Sequence, residues 1–172
     1  MYRPLNKVIP FVNGKTVLFE RSTTSGPAPE SVIVAAAADG VGVLSVAKKD
    51  WLWKIEGGTP ITACQVSCPA GGQNEVITGG ADGFIAAFSM NEGRPLRRFD
   101  TGTPVTALVY LPETGILAVA TRTGVLALDA DWKSVANYPL EAARMCKLGD
   151  NTILVSAMDG TLVNLSLHRS VP

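Results

Sequence analysis

The chain has 172 residues, and its fifteen basic and fifteen acidic side chains cancel. Apolar residues make up 47% of it against 17% charged, a balance that excludes an intrinsically disordered chain. The cancelled charge removes the summed positive field that drives non-specific binding to nucleic acid or anionic membranes. No apolar run approaches the ~20 residues needed to span a bilayer, and the longest, Ile33 to Ala38, has the length of a buried strand.

The segment MYRPLNKVIPFVNGK is interrupted by Pro4 and Asn6, so a secretory signal is not expected there. A hairpin-like stretch follows, with Lys7–Val12 and Thr16–Glu20 flanking Asn13-Gly14. Ser22–Glu30, with Gly26, Pro27 and Pro29, is predicted as a loop. From residue 31 onward the chain repeats itself. The lines are SVIVAAAADGVGVLSVAKKDWLWKIEGGTP (31–60), EVITGGADGFIAAFSMNEGRPLRRFDTGTP (75–104), GILAVATRTGVLALDADWKSVANYPLE (115–141) and NTILVSAMDGTLVNLSLHRSVP (151–172).

Each line carries an apolar run, an Asp-Gly or Thr-Gly pair and a second apolar run. The pairs centre on Gly40, Gly83, Gly124 and Gly160, a spacing of about 40 residues that suits one four-stranded propeller blade. Asp-Gly between two such runs predicts a hairpin with a type I′ turn. A less regular third strand follows, as in Trp51–Ile55 and Pro95–Phe99, and a fourth lies between the lines at Ile61–Val66, Val105–Tyr110 and Ala143–Leu148. The Val/Ile/Ala-rich middle runs predict strands buried on both faces. The fold expected is all-β, a propeller of about four four-stranded antiparallel blades in one domain over 1–172. The repeats run about 31–60, 61–104, 105–141 and 142–172, with the placement of 1–30 left open.

The second line resembles the quinoprotein-like (PQQ-type) repeat, in which a short strand after "DG" leads to a Gly turn and a strand ending near D-T-G-x-P-V. In the first line Trp51-Leu52-Trp53 stands where that repeat carries its tryptophan, and in the second Arg97-Arg98 stands there instead. The lines also resemble WD40 repeats, without the Trp-Asp pair or the Gly-His pair. The resemblance covers roughly 31–167 and implies rings of seven or eight blades. With about four present, the ring closes on itself, pairs with a second copy or is completed by another subunit. It also implies that an N-terminal strand such as Lys7–Val12 fills the last blade, with Thr16–Glu20 innermost in the first. The Asn13-Gly14 turn argues against this.

Candidates for chemistry reduce to structural roles. Cys64 and Cys68 share one face of an extended strand with only Cys146 and His168 as further ligands, so no metal site is expected. The odd cysteine count suggests no disulfide framework and favours a reducing, cytoplasmic setting. His168 is the only histidine and lies near the C-terminus, away from any catalytic constellation. Gly40-x-Gly42-x-x-Ser45 falls inside a hairpin, which rules out a dinucleotide loop. Asp39, Asp82 and Asp159 recur before the turn glycines and are read as turn caps.

Trp51 and Trp53 are placed on one face of one strand, either as an inter-blade core pair or as an exposed anchor. The pairs Lys48-Lys49 and Arg97-Arg98 are read as solvated strand ends or loop tips. Trp51, Trp53, Arg97 and Arg98 are the candidate partner-binding residues. The function expected is a non-enzymatic protein–protein interaction scaffold, without cofactor or nucleic acid and off the membrane, completed by a protein partner or a second copy. The alternative is a quinoprotein-type enzyme or a small-ligand-binding propeller, holding a quinone and calcium in its funnel.

Overall fold

The computed structural model describes residues 15–20, 31–37, 40–67 and 73–167, and every regular element among them is a strand. Four antiparallel sheets follow one another along the chain. Blade 1 holds β1 (Lys15–Glu20), β2 (Ser31–Ala37), β3 (Gly40–Ser45) and β4 (Asp50–Glu56). Blade 2 holds β5 (Ile61–Ser67), β6 (Glu75–Gly80), β7 (Phe84–Ser89) and β8 (Pro95–Asp100). Blade 3 holds β9 (Val105–Leu111), β10 (Ile116–Thr121), β11 (Val125–Leu128) and β12 (Ser134–Tyr138). Blade 4 has, among the described residues, β13 (Ala142–Gly149), β14 (Thr152–Ala157) and β15 (Leu162–Ser166). Within each blade the strands pair in chain order.

The first strands meet one another: β1 lies against β5, β5 against β9 and β9 against β13. They form the inner side of the assembly, and β4, β8 and β12 form its outer side. Thr16–Glu20 thus falls within the first strand of blade 1, while Lys7–Val12 lies outside the described residues.

Each joint between blades is an apolar sandwich. Val34 and Val43 of blade 1 pack with Val66, Val76 and Met90 of blade 2. Ile77, Ile85 and Ala87 of blade 2 pack with Leu108, Leu117, Val119 and Leu128 of blade 3. Val109, Ala118 and Ala127 of blade 3 pack with Ile153, Val155 and Leu167 of blade 4. Strands β3, β6 and β10 are buried at every position because both of their faces are covered. Full burial of a Val, Leu or Ile side chain stabilises by about 1.5–3 kcal/mol, so these joints hold the blades together.

The repeat extends to the irregularities. The outer strand carries one extra residue at the same place in three blades, at Leu52, Leu96 and Val135. The inner strand does so at Thr62, Thr106 and Ala143. Such bulges bend a strand and re-aim its side chains. The turns differ from the type I′ expectation. Gly83 N–H bonds to Gly80 C=O and Gly160 N–H to Ala157 C=O, so Ala81-Asp82 and Met158-Asp159 form the turn centres. Only the glycine that follows is left-handed, at φ 85° in Gly83 and 88° in Gly160. Asp82 accepts the Phe84 N–H at 3.2 Å and Asp159 the Thr161 N–H at 2.9 Å, the capping role read from the sequence. Asp39 lies outside the described residues.

Candidate functional site

The bulge at Leu52 separates the two tryptophans of β4. Val43 pairs with Trp53 and Leu44 with Trp51, so the rings lie on opposite faces of the sheet, not on one. Trp53 faces blade 2, donates its indole N–H to Met90 C=O at 2.7 Å and packs against Phe88 at 6.3 Å between ring centroids. Gly93 lies on its ring, where a Cβ would meet the indole at 2.6 Å. Trp51 lies across Gly42 on the other face, beside Leu44, with Lys54 Nζ 6.0 Å from its ring centroid.

Arg97 holds in blade 2 the register position that Trp53 holds in blade 1. It too reaches forward. Its Nη1 donates to Ala130 C=O at 2.7 Å, its Nη2 to the Glu75 carboxylate, and its guanidinium lies 4.9 Å from the Trp132 ring centroid. Glu75 is 8% exposed and also accepts the Ser67 hydroxyl at 3.2 Å. Trp132, 6% exposed, is held left-handed at φ 62° by a turn in which Asp129 accepts the Asp131 and Lys133 N–H groups. Arg97 is therefore part of a joint rather than a solvated strand end. Met90 and Ala130 are equivalent carbonyls, each two residues past the last residue paired with the outer strand, Phe88 or Leu128, so two different side chains make one latch. In blade 3 the equivalent donor position is Ala136, which has no side-chain donor to offer.

A second latch lies on the inner side. The Thr62 hydroxyl bonds to Val105 C=O, and the Thr106 hydroxyl to Ala142 C=O at 2.8 Å. Both are bulge residues, and the third of the series is Ala143. Neither latch was visible in the sequence until the bulges set the register.

Arg98, on the opposite face from Arg97, is 62% exposed along its side chain. Its guanidinium carbon stands 3.6 Å over the Phe84 ring centroid, and Asp82 approaches it at 3.9 Å. Lys48 and Lys49 are exposed in the β3–β4 turn, as expected.

At one end of the inner strands the blades surround a wide mouth of about 1180 Å³. Its rim includes Ala81, Arg122 and Met158, which take the same place before each turn glycine in blades 2, 3 and 4. Glu141 and Arg144 approach it from the start of β13 and the residue before it. Met158 is 67% exposed. Positions that the repeat makes equivalent carry a methyl, a guanidinium and a thioether, so the rim is chemically distinct from the joints beneath it. Sequence inspection missed these residues; the signal was the divergence just before each conserved-looking Gly turn.

The face of blade 4 turned away from blade 3 differs from its counterparts. Leu154 and Asn164 stand where blades 1, 2 and 3 place Val34–Val43, Ile77–Ala87 and Ala118–Ala127. Beside them lie Ser156 and the exposed Leu162 and Cys146. Cys64 is half-buried in β5, while Cys68 and His168 lie outside the described residues. No three His, Cys, Asp or Glu side chains converge among the described residues. On the surface, Lys147 Nζ donates to both Glu113 oxygens, at 3.0 and 2.9 Å, and holds that carboxyl below the usual glutamate range. Bonds from Thr161 do the same for Asp159.

No family model matches the chain, and no curated protein matches it. Solved structures do. Saccharomyces cerevisiae Sqt1 superposes with TM-score 0.73 at 13% identity, covering 88% of this chain and 46% of Sqt1. A chain in the mitotic checkpoint complex gives 0.70 at 14% identity, covering 80% and 46%. Both are WD40 propellers. This chain has the β-propeller fold. It spans about half the length of those two natural propellers. The computationally designed Ika4 protein matches along its full length, with TM-score 0.69 at 17% identity, covering 97% of this chain and 99% of Ika4. No helix among the described residues is long and apolar enough to cross a membrane.

Proposed function

We propose that the chain is a protein-interaction propeller module, without catalysis of its own, acting in the cytoplasm within a larger assembly. The observation that carries this reading is the mouth. Rigid, latched joints hold Ala81, Arg122 and Met158 at equivalent places with divergent chemistry, and Arg144 and Glu141 add charge beside them. Exposed Arg and Met at a concave surface suit a partner segment that offers both a carboxylate and an apolar side chain.

The partner or a second copy also completes the ring. Three apolar joints link the four blades, and the outward face of blade 4 has only three strands among its described residues. The likeness to Ika4 over its full length and to about half of Sqt1 supports a unit of this size as a building block. Trp51 and Arg98 join the proposal as candidate contacts, while Trp53 and Arg97 serve it by fixing the joints. The quinoprotein alternative needs a carboxylate-rich cation site in the funnel, and the described lining supplies one carboxylate, Glu141. The donor set does not fit that group.

The test pairs two measurements. Light scattering across a tenfold concentration range gives a mass of twice 18.0 kDa for a ring of two halves, or a monomer for a unit completed by another protein. Co-purification with Arg122→Glu/Arg144→Glu is expected to lose the partner that the wild type retains, with Lys48→Glu/Lys49→Glu as a distant control. Equal recovery in all three would overturn the mouth as the binding surface.

A further inference from the structure

The joint between blades 1 and 2 differs from the other two. Facing the previous blade, blade 3 presents Val119 paired with Leu126 and blade 4 presents Val155 paired with Val163. At the same register blade 2 presents Thr78 and Ala86. The opposite wall is smaller as well. Phe99 pairs with Ile85 in blade 2 and Tyr138 with Val125 in blade 3, whereas blade 1 has Ile55 paired with Val41. Phe99 and Tyr138 pack into their joints. Ala86 and Ile55 thus stand where the other joints carry Leu126 or Val163 and Phe99 or Tyr138, so bulk is missing at one joint only, and from both sides. The space they leave is an open slot of about 490 Å³, within the ~300–1,000 Å³ of small-molecule sites.

The slot has an apolar body and one cationic end. Val41, Ile55, Ile61 and Ala86 line it. Among its described lining residues Thr78 is the one buried polar residue, its hydroxyl making a long 3.4 Å bond to Ala86 C=O, and the Nε of Arg97 is buried without a partner. Phe84 and Arg98 stand at the edge. Asp82 lies 3.9 Å from Arg98, beyond a hydrogen bond, and spends one oxygen on the Phe84 N–H. The guanidinium is held over the Phe84 ring, and the Arg98 side chain is 62% exposed.

We propose that this slot binds an apolar monocarboxylate, with its tail between the Val41–Ile55 and Thr78–Ala86 walls and its carboxylate on Arg98. One planar guanidinium matches one carboxylate in a bidentate fork. Arg97 also lines the slot, but its guanidinium is committed to Glu75 and Ala130 C=O, so a dianionic head would lack a second free cation.

Decanoate is the probe, titrated into the full chain by calorimetry and amide chemical shifts, with decanol as its neutral counterpart. Saturable binding is expected, with shifts centred on Thr78, Phe84 and Ala86. Thr78→Val/Ala86→Leu rebuilds the blade 3 pair and is expected to weaken both ligands at least ~20-fold while the circular dichroism stays unchanged. Ile55→Phe fills the slot from the other wall and serves if that variant folds poorly. Arg98→Gln is expected to weaken decanoate about tenfold and leave decanol unaffected. Absence of saturable binding, or binding that survives the filling of the slot, would overturn the site. An Arg98→Gln variant that binds decanoate as the wild type does would overturn the assignment of the carboxylate.

Discussion

Arg97→Ala is the substitution whose cost the structure states most directly. It removes the cation beside Glu75, a hydrogen bond to Ala130 C=O at 2.7 Å and the guanidinium over Trp132. Breaking a buried pair by removing one partner costs about 3–5 kcal/mol because a charge is left uncompensated. The Arg97 side chain is 33% exposed against 11% for Glu75, so solvent screens the pair and the upper end does not apply. Glu75 also keeps the Ser67 hydroxyl. A loss of about 2–3 kcal/mol follows, or a fall of roughly 4–12 °C in Tm for a chain of this size. Urea denaturation followed by tryptophan fluorescence and far-ultraviolet circular dichroism measures it, with unchanged m-value as the control. Glu75→Ala and the double variant complete a cycle. Once Glu75 is gone, removing Arg97 is expected to cost only about 1 kcal/mol, the worth of one hydrogen bond, which puts the coupling at 1–2 kcal/mol. A single-variant loss under ~0.5 kcal/mol, or a coupling near zero, would refute the view that this joint is held electrostatically.

Two further outcomes follow from local geometry. Gly93→Ala is expected to destabilise by about 1–3 kcal/mol, since its φ of 68° is left-handed and the new methyl would strike the Trp53 ring; chemical denaturation of the variant measures this, and a neutral result would mean Trp53 is not seated there. Glu113 and Asp159 are both lowered below their ordinary values, by Lys147 and by Thr161 respectively. Their folded pKa values are depressed, so what they contribute is present above the unfolded value and lost as pH falls through the folded one. Carboxyl titration by NMR is expected to place both below the usual carboxylate range, and Lys147→Ala to return Glu113 alone toward it.

Much of the blade structure was legible because it depends on local pattern. Alternation of apolar runs and Gly turns placed Trp51–Ile55, Ile61–Val66, Pro95–Phe99, Val105–Tyr110 and Ala143–Leu148 within a residue of the observed strands. The burial on both faces expected of the middle runs holds in β3, β6 and β10, while β7 and β14 alternate. What the sequence hid was register. A single extra residue at Leu52 turned Trp51 to the opposite face from Trp53, and strict period-two counting cannot show that. For the same reason Arg97 read as half of an exposed basic pair, although its equivalence to Trp53 placed it in a joint. The mouth escaped notice because it gathers residues from three blades about 40 positions apart. The slot beside Arg98 escaped notice because it consists of missing bulk, which shows only when paired positions of different blades are set side by side.

The inner threonine latches point one way along the chain: Thr62 closes on Val105 C=O, and Thr106 closes on Ala142 C=O. In both latches the earlier blade supplies the hydroxyl, and the blade synthesised after it supplies the acceptor. On a nascent chain, blade 2 would leave the ribosome with its clasp open and fasten only when β9 followed, and blade 3 would wait in turn for β13. Order of synthesis and order of fastening coincide, so the propeller can be assembled as a sequence of forward-closing steps, each one completed by the arrival of the next blade.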